Sequence, residues 1–227
     1  MSGVRRVVRE NGLALAFGGL FLAALVGQAW AGLAEFNNQL MSQGLAGIGF
    51  WRYVTSSDFA VDVAENWQSE YLQFFLYITA TVYLVQRGSP ESKPLDQLGR
   101  ESDREQKIAE YSVADSPAWA RSRGLRLSVY ARSLGLVMGL IFLASWLAQS
   151  IAGHSAYNEQ LLGDLQDPIG WLDYVVSADF WSRTLQNWQS EFLAVGSMVV
   201  FSIYLRERGS PESKPVGQPH HSTGIEG

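Results

Sequence analysis

Two glutamates inside apolar segments are the residues of this sequence best placed to do chemistry. Glu70 and Glu191 each end a five-residue motif, Asn-Trp-Gln-Ser-Glu, that occurs twice in the chain. A carboxylate surrounded by hydrocarbon is costly unless it is protonated, hydrogen-bonded or open to a cavity, so an intramembrane glutamate is a candidate for a functional site. Amides at a similar depth complete a predicted polar pocket, whose members are Gln28, Asn66, Glu70, Gln149, Asn187 and Glu191.

The same residues also fit a purely structural role. Each glutamate can accept a hydrogen bond from the glutamine of its own half, Gln28 for Glu70 and Gln149 for Glu191, and so hold two helices together. We favour this structural interpretation over a pocket that is open to the outer side. The direction in which the two glutamates point decides between the two.

Four charged residues form a second candidate set. When the two halves of the chain are aligned, Arg52 matches Asp173 and Asp62 matches Arg183. Because both positions reverse sign, an Arg-to-Asp attraction is retained in each copy. The pairs form either within the halves, 52 with 62 and 173 with 183, or between them, 52 with 173 and 62 with 183. The alternative is a pair of unrelated surface changes.

Other catalytic or metal-binding signals in the sequence are weak. The chain has no cysteine, which excludes disulfides, thiol catalysis and thiolate metal sites. His154 has no histidine at the equivalent position of the first half, so a haem or metal site would lack symmetric ligands. The sequence contains no Gly-rich phosphate loop, HExxH motif or nucleophile elbow. We therefore expect no cofactor, no metal and no enzymatic activity. The net charge of -5 argues against nucleic-acid binding.

Four apolar segments must position these side chains. Two of them are uncharged blocks of about 20 residues, enough to cross about 30 Å of hydrocarbon as helices. The other two are shorter, and they reach full span when they begin at Trp67 and Trp188, whose rings suit the membrane interface. The sequence therefore predicts an all-α membrane protein with four transmembrane helices. The predicted spans are about 13–33, 67–86, 134–153 and 188–206.

The chain is an internal duplication with a period of 121 residues. Besides Asn-Trp-Gln-Ser-Glu, the octapeptide Arg-Gly-Ser-Pro-Glu-Ser-Lys-Pro recurs at that offset, and the copies align without a gap. Recurrence of the first apolar block in mid-chain weakens the alternative that it is a signal peptide cleaved near Ala29-Trp30-Ala31. The predicted segments are a first two-helix repeat (1–94), a polar cytoplasmic linker (95–125), a second two-helix repeat (126–215) and a disordered tail (216–227).

The distribution of basic residues predicts the orientation. Of the 17 lysines and arginines, only Arg52 and Arg183 lie in the loops within the repeats, and the others lie in the N-terminus, the central segment and the tail. By the positive-inside rule, both termini and the central segment are cytoplasmic. The two helical hairpins are then parallel repeats, related by a pseudo-two-fold axis along the membrane normal.

Capping residues predict where the second helix of each hairpin begins and ends. Ser56 and Ser177 are suitable N-caps for a helix that starts in the outer loop and continues into the span. Gly88 and Gly209, each followed two residues later by proline, are typical helix stops. In the linker, Ser116-Pro117 predicts the start of a short basic helix on the inner leaflet.

A stripe of small residues predicts a packing face on the first and third spans. Small side chains spaced four apart allow two helices to approach closely. The residues are Gly19, Ala23, Gly27 and Ala31 on the first span and Ala144, Ala148 and Ala152 on the third.

Several short motifs carry a resemblance to a known family. They are Arg9-Glu10-Asn11-Gly12-Leu13 before the first span, Gly27-Gln28 near its end, Tyr157-Asn158 after the third, and the two repeated motifs. With them the chain resembles a bacterial membrane-protein family known as a domain of unknown function. The resemblance implies an integral inner-membrane protein and supplies no activity, substrate or catalytic residue.

These observations lead to one expected function and two alternatives. We expect a non-enzymatic scaffold or interaction protein of the bacterial inner membrane, with the lipid bilayer and a homodimer or other membrane proteins as partners. The first alternative is a small transporter or channel, dimeric because four spans are few, that uses Glu70 and Glu191. The second is a membrane enzyme that uses the same pair as acid and base.

Overall fold

The computed structural model describes residues 3–225, and every regular element in that range is helical, so the predicted all-α class is confirmed. Two single-turn 3-10 helices, Leu95–Gln97 and Ala109–Tyr111, lie between the fourth and fifth α-helices. The α-helices are α1 (Gly3–Glu10), α2 (Gly12–Ser42), α3 (Phe50–Val54), α4 (Ser57–Ala80), α5 (Leu125–Tyr130), α6 (Ser133–Gly163), α7 (Trp171–Val175) and α8 (Ala178–Tyr204).

Helices α2 and α6 are the two helices of the described chain that are long and apolar enough to cross a membrane. Each has 31 residues, or about 46 Å at a rise of 1.5 Å, against a hydrocarbon thickness of about 30 Å. Only 6% of the apolar window of α2 and 17% of that of α6 is buried, whereas a core helix of a soluble protein is mostly buried. Two of the four predicted spans are thus present as candidate membrane helices, and crossing by α4 and α8 stays a prediction.

Helices α4 and α8 end before the predicted stops. The predicted ends at Gly88 and Gly209 are wrong, because α4 ends at Ala80 and α8 at Tyr204. Both glycines have the positive φ of a left-handed turn, +90° and +87°, but that turn follows several non-helical residues. Glycine at these positions therefore shapes a loop rather than a helix end.

The loops that contain these glycines fold alike in both copies of the octapeptide. Ser92 Oγ accepts a hydrogen bond from the N–H of Gln86 at 3.1 Å, and Ser213 Oγ accepts one from the N–H of Glu207 at 3.0 Å. These bonds satisfy backbone groups that the helices no longer use. The repeated octapeptide thus has a structural role in each copy.

The described chain divides into two compact units that do not coincide with the two sequence repeats. Unit 1 consists of residues 1–63 and 152–168, and unit 2 consists of residues 64–151 and 169–227. Helices α4 and α6 contribute residues to both units, because each unit boundary falls inside a helix. Of these stretches, residues 1–2 and 226–227 lie outside the described range.

Tyr53 of α3 is the centre of packing in unit 1. Its side chain is buried against α2, where Gly32 leaves room for the phenol ring. Phe36 and Phe59 flank the ring, with centroids 5.6 Å and 5.5 Å away. Asn37 closes the loop that leads to α3, because its side chain donates to the carbonyl of Ile48 and accepts from its N–H.

Unit 2 buries polar and apolar side chains together. Gly139 of α6 allows the ring of Phe75 on α4 to approach, since an added Cβ would lie 3.2 Å from that ring. The interior is rich in small polar residues, while large apolar residues cover the outside of α6 and α8. The fully or almost fully buried polar residues of the helices are Gln68, Ser69, Ser145, Gln149, Ser150, Thr184 and Ser202.

The central segment forms turns where the sequence predicts a short helix. Ser116 does not begin a helix, so that prediction is wrong, and α5 starts only at Leu125. Arg121 binds the turn instead, because its guanidinium donates to the carbonyls of Ser116 and Ala114 at distances of 2.6 to 2.9 Å. An arginine satisfied by nearby carbonyls in this way stabilises a turn against helix formation.

The tail has a defined path as far as Ile225, where the sequence predicts disorder. Lys214 is buried and its ammonium group donates to the carbonyls of Gly88 and His220, the latter at 2.9 Å. Thr223 Oγ1 accepts a hydrogen bond from the N–H of Gly88 at 2.9 Å. A buried ammonium that binds several carbonyls fixes the chain segments that supply them.

The predicted packing stripe does not make contacts along α2. A Cβ added to Gly19 or Gly27 would meet nothing within 4 Å in the described chain. The close approach occurs instead at Gly32, one position beyond the stripe. Helical phase decides this difference, because one residue rotates the face of a helix by about 100°.

Candidate functional site

A helical corner, defined as a short helix with a buried tyrosine followed by a serine-capped helix, lies in unit 1. Tyr53 of α3 is 3% exposed, and Ser56 Oγ accepts the N–H of Phe59 at 3.3 Å. The predicted capping role of Ser56 is confirmed. Asp58 lies in the first turn of α4, where the helix dipole favours a negative charge.

The same helical corner recurs 121 positions later, within unit 2. Tyr174 of α7 is completely buried, and Ser177 Oγ accepts the N–H of Phe180 at 3.3 Å, as predicted for this cap. The Tyr174 hydroxyl donates to Asp179 at 3.2 Å. The ring of Phe180 lies 5.7 Å from that of Tyr174, close to the spacing of the equivalent pair in unit 1.

Burial controls the protonation of both corner tyrosines. Burial, followed by the negative charges of Asp62 and Asp58, raises the pKa of Tyr53. Burial and the charge of Asp179 also raise the pKa of Tyr174. Both phenols therefore remain neutral at physiological pH and act as hydrophobic anchors rather than as acids.

The interior of unit 2 contains a polar cluster on three helices. Gln149 of α6 donates through Nε2 to Thr184 Oγ1 on α8 at 3.3 Å. Trp188, one turn further along α8, donates through Nε1 to Gln68 Oε1 on α4 at 2.7 Å. Because residues four apart share a helix face, the two glutamines reach α8 within about 6 Å of each other along its axis. The cluster links α4, α6 and α8.

Two atoms of this cluster retain unused hydrogen-bonding capacity. Gln68 Nε2 and Gln149 Oε1 are buried and have no hydrogen-bond partner within residues 3–225. The indole of Trp146 lies nearby, tilted against Trp188 at 5.9 Å and stacked on Phe180 at 6.2 Å between ring centroids. Its Nε1 is likewise unpaired within residues 3–225. An unpaired buried polar group costs about 1–3 kcal/mol. The cluster therefore cross-links helices while leaving buried polar atoms unsatisfied within residues 3–225.

The structure brings only some of the predicted pocket residues together. Gln149 joins the polar cluster, whereas Asn66 and Glu70 are exposed on α4. Glu191 is half-buried on α8 and close enough to Glu70 for their charges to repel. The amide of Gln149 donates to Thr184 and not to Glu191, so the predicted Gln149–Glu191 bond is absent from the described chain.

The remaining pocket residues lie on other faces or in the other unit. Asn187 donates from its side chain to the carbonyl of Arg183 one turn back at 3.0 Å. Gln28 is half-buried on α2 in unit 1. Gln68 and Ser69 were missed as site residues, although the repeated motif contains them. The four polar residues of the motif point to different faces of a helix, so the motif alone does not say which of them turn inward.

The predicted ion-pair set gives a mixed outcome. Arg183 is held by Glu65 at 3.3 Å and by Asp179 at 3.6 Å, within unit 2. In the part of the chain that is described, Arg52 and Asp173 form no ion pair within 4 Å. Of the four predicted pairs, only Asp62 with Arg183 stays a prediction, because each of the other three includes Arg52 or Asp173. Glu65 is the partner that sequence comparison did not indicate.

A charged cleft of about 970 Å³ opens beside the N-terminus of α6, entirely within unit 2. Its walls come from the C-terminal end of α4, the central segment and the residues around α5. Arg100, Lys107 and Arg132 are among the side chains that line it. The sequence did not predict this site, because its members are spread over more than 50 positions.

Metal chemistry finds no support among the described residues. No three His, Asp or Glu side chains within residues 3–225 come together in a way that could hold a metal ion. His154 lies four residues from Asn158 on α6, and its Nε2 is 2.9 Å from the Asn158 amide nitrogen.

Comparison with known proteins identifies the family. No curated protein and no solved structure matches the chain significantly. The sequence profile of a domain of unknown function, DUF6766, matches residues 4–225 and therefore both halves of the duplication. The chain belongs to the DUF6766 family, a domain of unknown function.

Proposed function

We propose that this protein is a non-enzymatic scaffold or interaction protein of the bacterial inner membrane, with four spans and cytoplasmic termini. The observation that carries the proposal is an inverted distribution of polarity in unit 2. Gln68, Gln149 and Thr184 are completely buried, whereas apolar side chains such as Leu140 and Leu193 are more than 60% exposed. In water such an apolar surface would drive protein molecules to associate, whereas in a membrane it can contact lipid tails.

Helices α4 and α8 are long enough for the two further spans. With 24 and 27 residues they extend about 36 Å and 40 Å, more than the hydrocarbon thickness of about 30 Å. Because α4 and α8 end at Ala80 and Tyr204, a full span includes helical turns that precede Trp67 and Trp188. Two polar residues of these helices, Gln68 and Thr184, can be accommodated because they turn inward and pair with other helices. Polar residues that face the bundle interior are the usual arrangement in membrane proteins.

A scaffold role is favoured by how the polar residues are used. The hydrogen bonds of Gln149 and Trp188 join helices, the two octapeptide copies shape loops, and the corner tyrosines anchor α3 and α7. These are structural tasks. Partners are then the bilayer itself and a second copy or other membrane proteins that contact the exposed helices.

Membrane fractionation tests this proposal. Cells that express the full chain are broken, and the membranes are washed with high salt and then with alkaline carbonate. We expect the protein to stay in the pellet until detergent is added, as an integral protein does. Release by carbonate would overturn the proposal, since a peripheral protein is held by charge and is removed by these washes.

A small transporter or channel is the second candidate. It is favoured by the unused capacity of Gln68 Nε2 and Gln149 Oε1 inside the bundle and by the proximity of Glu70 and Glu191. Ion flux is measured in proteoliposomes that contain the unchanged protein and in proteoliposomes that contain the variant Glu70→Gln/Glu191→Gln. A flux that falls in this variant favours transport by the glutamate pair, and an unchanged flux excludes it.

A further inference from the structure

The charged cleft of unit 2 has an excess of positive charge. Lys93 pairs with Glu101 at 2.9 Å, so their charges cancel. The other charged side chains that line the cleft are Arg100, Lys107, Arg132 and one carboxylate, Asp103. The cleft is therefore positive by about two charges, in a chain whose net charge is -5.

The three remaining cations of the cleft have no carboxylate partner. In the described residues, neither Arg100 nor Lys107 forms an ion pair, and Arg132 donates only to the hydroxyl and carbonyl of Ser128. Glu101 is unavailable to them, because hydrogen bonds from Lys93 and Gln106 hold it and lower its pKa. Arginine and lysine that lack a partner are suited to bind phosphate.

Apolar residues form one part of the uncharged wall of the cleft, next to the ends of two helices. Val82 and Tyr83 follow the C-terminal end of α4, and Leu127 belongs to α5, immediately before α6. Arg132 and Ser133 stand at the start of α6, a candidate membrane helix. A ligand that fills this cleft therefore needs a negative group for the cations and an apolar part for the neighbouring wall.

We propose that this cleft binds the phosphate headgroup of an anionic phospholipid of the cytoplasmic leaflet. The inference rests on the proposed function, which places this segment on the cytoplasmic side of the membrane. The volume of about 970 Å³ is at the upper end of the range of about 300–1,000 Å³ that ligand pockets occupy. Basic pockets beside transmembrane helices on the cytoplasmic side are typical headgroup sites.

Removal of the three cations tests the assignment. Full-length protein in detergent is titrated with phosphatidylglycerol or phosphatidylcholine, and bound lipid is counted by native mass spectrometry. The cleft variant is Arg100→Gln/Lys107→Gln/Arg132→Gln. Its matched control, Arg5→Gln/Arg87→Gln/Arg208→Gln, removes three exposed arginines that are also predicted to be cytoplasmic but lie outside the cleft.

Each basic residue near an anionic membrane surface strengthens binding by about fivefold, and this factor sets the expected effect. We expect the cleft variant to bind phosphatidylglycerol on the order of 100-fold more weakly than the unchanged protein, and the control to change it by about threefold or less. The charge-preserving variant Arg100→Lys/Lys107→Arg/Arg132→Lys should bind nearly as well as the unchanged protein. Circular dichroism checks the fold, and the single variants Arg100→Gln and Lys107→Gln replace the triple if it unfolds.

Three results would overturn the assignment. The first is an equal loss of phosphatidylglycerol binding in the cleft variant and in the control. The second is equal binding of both lipids by the unchanged protein. The third is displacement of phosphatidylglycerol by millimolar inorganic phosphate, which would make free phosphate the occupant. Failure here is separable from failure of the proposed function. A protein that carbonate does not extract but that shows no lipid preference loses the cleft assignment alone.

Discussion

Substitution of Gly32 by alanine tests the packing of unit 1. A Cβ at this position would overlap the Tyr53 hydroxyl and lie 2.9 Å from Cζ and 3.2 Å from Cε1 of the same ring. The ring has little freedom to move, because it is 3% exposed and lies between Phe36 and Phe59. One methyl group forced into such a site costs about 1–3 kcal/mol.

Gly27→Ala is the matched control on the same helix. Its Cβ would meet nothing within 4 Å, so it reports only the helix propensity of alanine, worth about 0.5–1 kcal/mol in favour of the variant. The difference in stability between the two variants therefore measures the cost of the steric overlap at Gly32. We expect Gly32→Ala to be less stable than Gly27→Ala by about 2 kcal/mol, or about 4–8 °C in Tm for a chain of this size.

Thermal unfolding in detergent, followed by far-UV circular dichroism, measures this difference. Tyr53→Phe removes the hydroxyl that overlaps the new methyl group, so in the Gly32→Ala background it should restore part of the lost stability. Recovery is incomplete because Cζ and Cε1 remain too close. Equal stability of Gly32→Ala and Gly27→Ala, or no recovery with Tyr53→Phe, would refute the predicted contact between α2 and α3.

Three further predictions concern unit 2 and the corner tyrosines. Thr184→Val should lower the free energy of unfolding by about 1–3 kcal/mol because the buried amide of Gln149 loses its acceptor. Adding Gln149→Leu to Thr184→Val should restore most of this stability. A further loss of similar size in the double variant would contradict the shared bond. Arg183→Gln should lower stability by about 1 kcal/mol, with a smaller effect at high salt, because the arginine is partly exposed and pairs with two carboxylates. An effect independent of salt would argue against the ion pairs. Since the pKa values of Tyr53 and Tyr174 are raised in the folded chain, the unfolded chain ionises first, and stability should fall as pH rises above about 10. Alkaline melts of Tyr53→Phe/Tyr174→Phe should show a shallower fall, and an identical slope would contradict burial of these phenols.

Elements with strong local signals could be predicted from the sequence. Two apolar blocks of about 20 residues account for α2 and α6, because the length and composition of a span are properties of a contiguous segment. The caps at Ser56 and Ser177 were also predictable, since a serine oxygen satisfies a backbone N–H only three residues away.

Features that depend on helical phase or on distant residues could not be predicted. The motif from Asn66 to Glu70 has polar residues on several helix faces, so its sequence does not say that Gln68 turns inward and Glu70 outward. The helix stops at Gly88 and Gly209 failed because hydrogen bonds from the backbone to serines six residues further along each loop compete with further helical turns. The charged cleft joins α4, the linker and α6, and no local pattern encodes such a juxtaposition.

The number of spans is the central claim of this account, and labelling of single cysteines tests it most directly. The chain contains no cysteine, so each of Gln43→Cys, Asp103→Cys and Asp167→Cys carries one reactive thiol. Intact spheroplasts are treated with a membrane-impermeant maleimide, with permeabilised cells as the control. With four spans, positions 43 and 167 are labelled from outside and position 103 only after permeabilisation. Labelling of positions 43 and 103 from outside, with 167 protected, would mean that only α2 and α6 cross and would contradict the account.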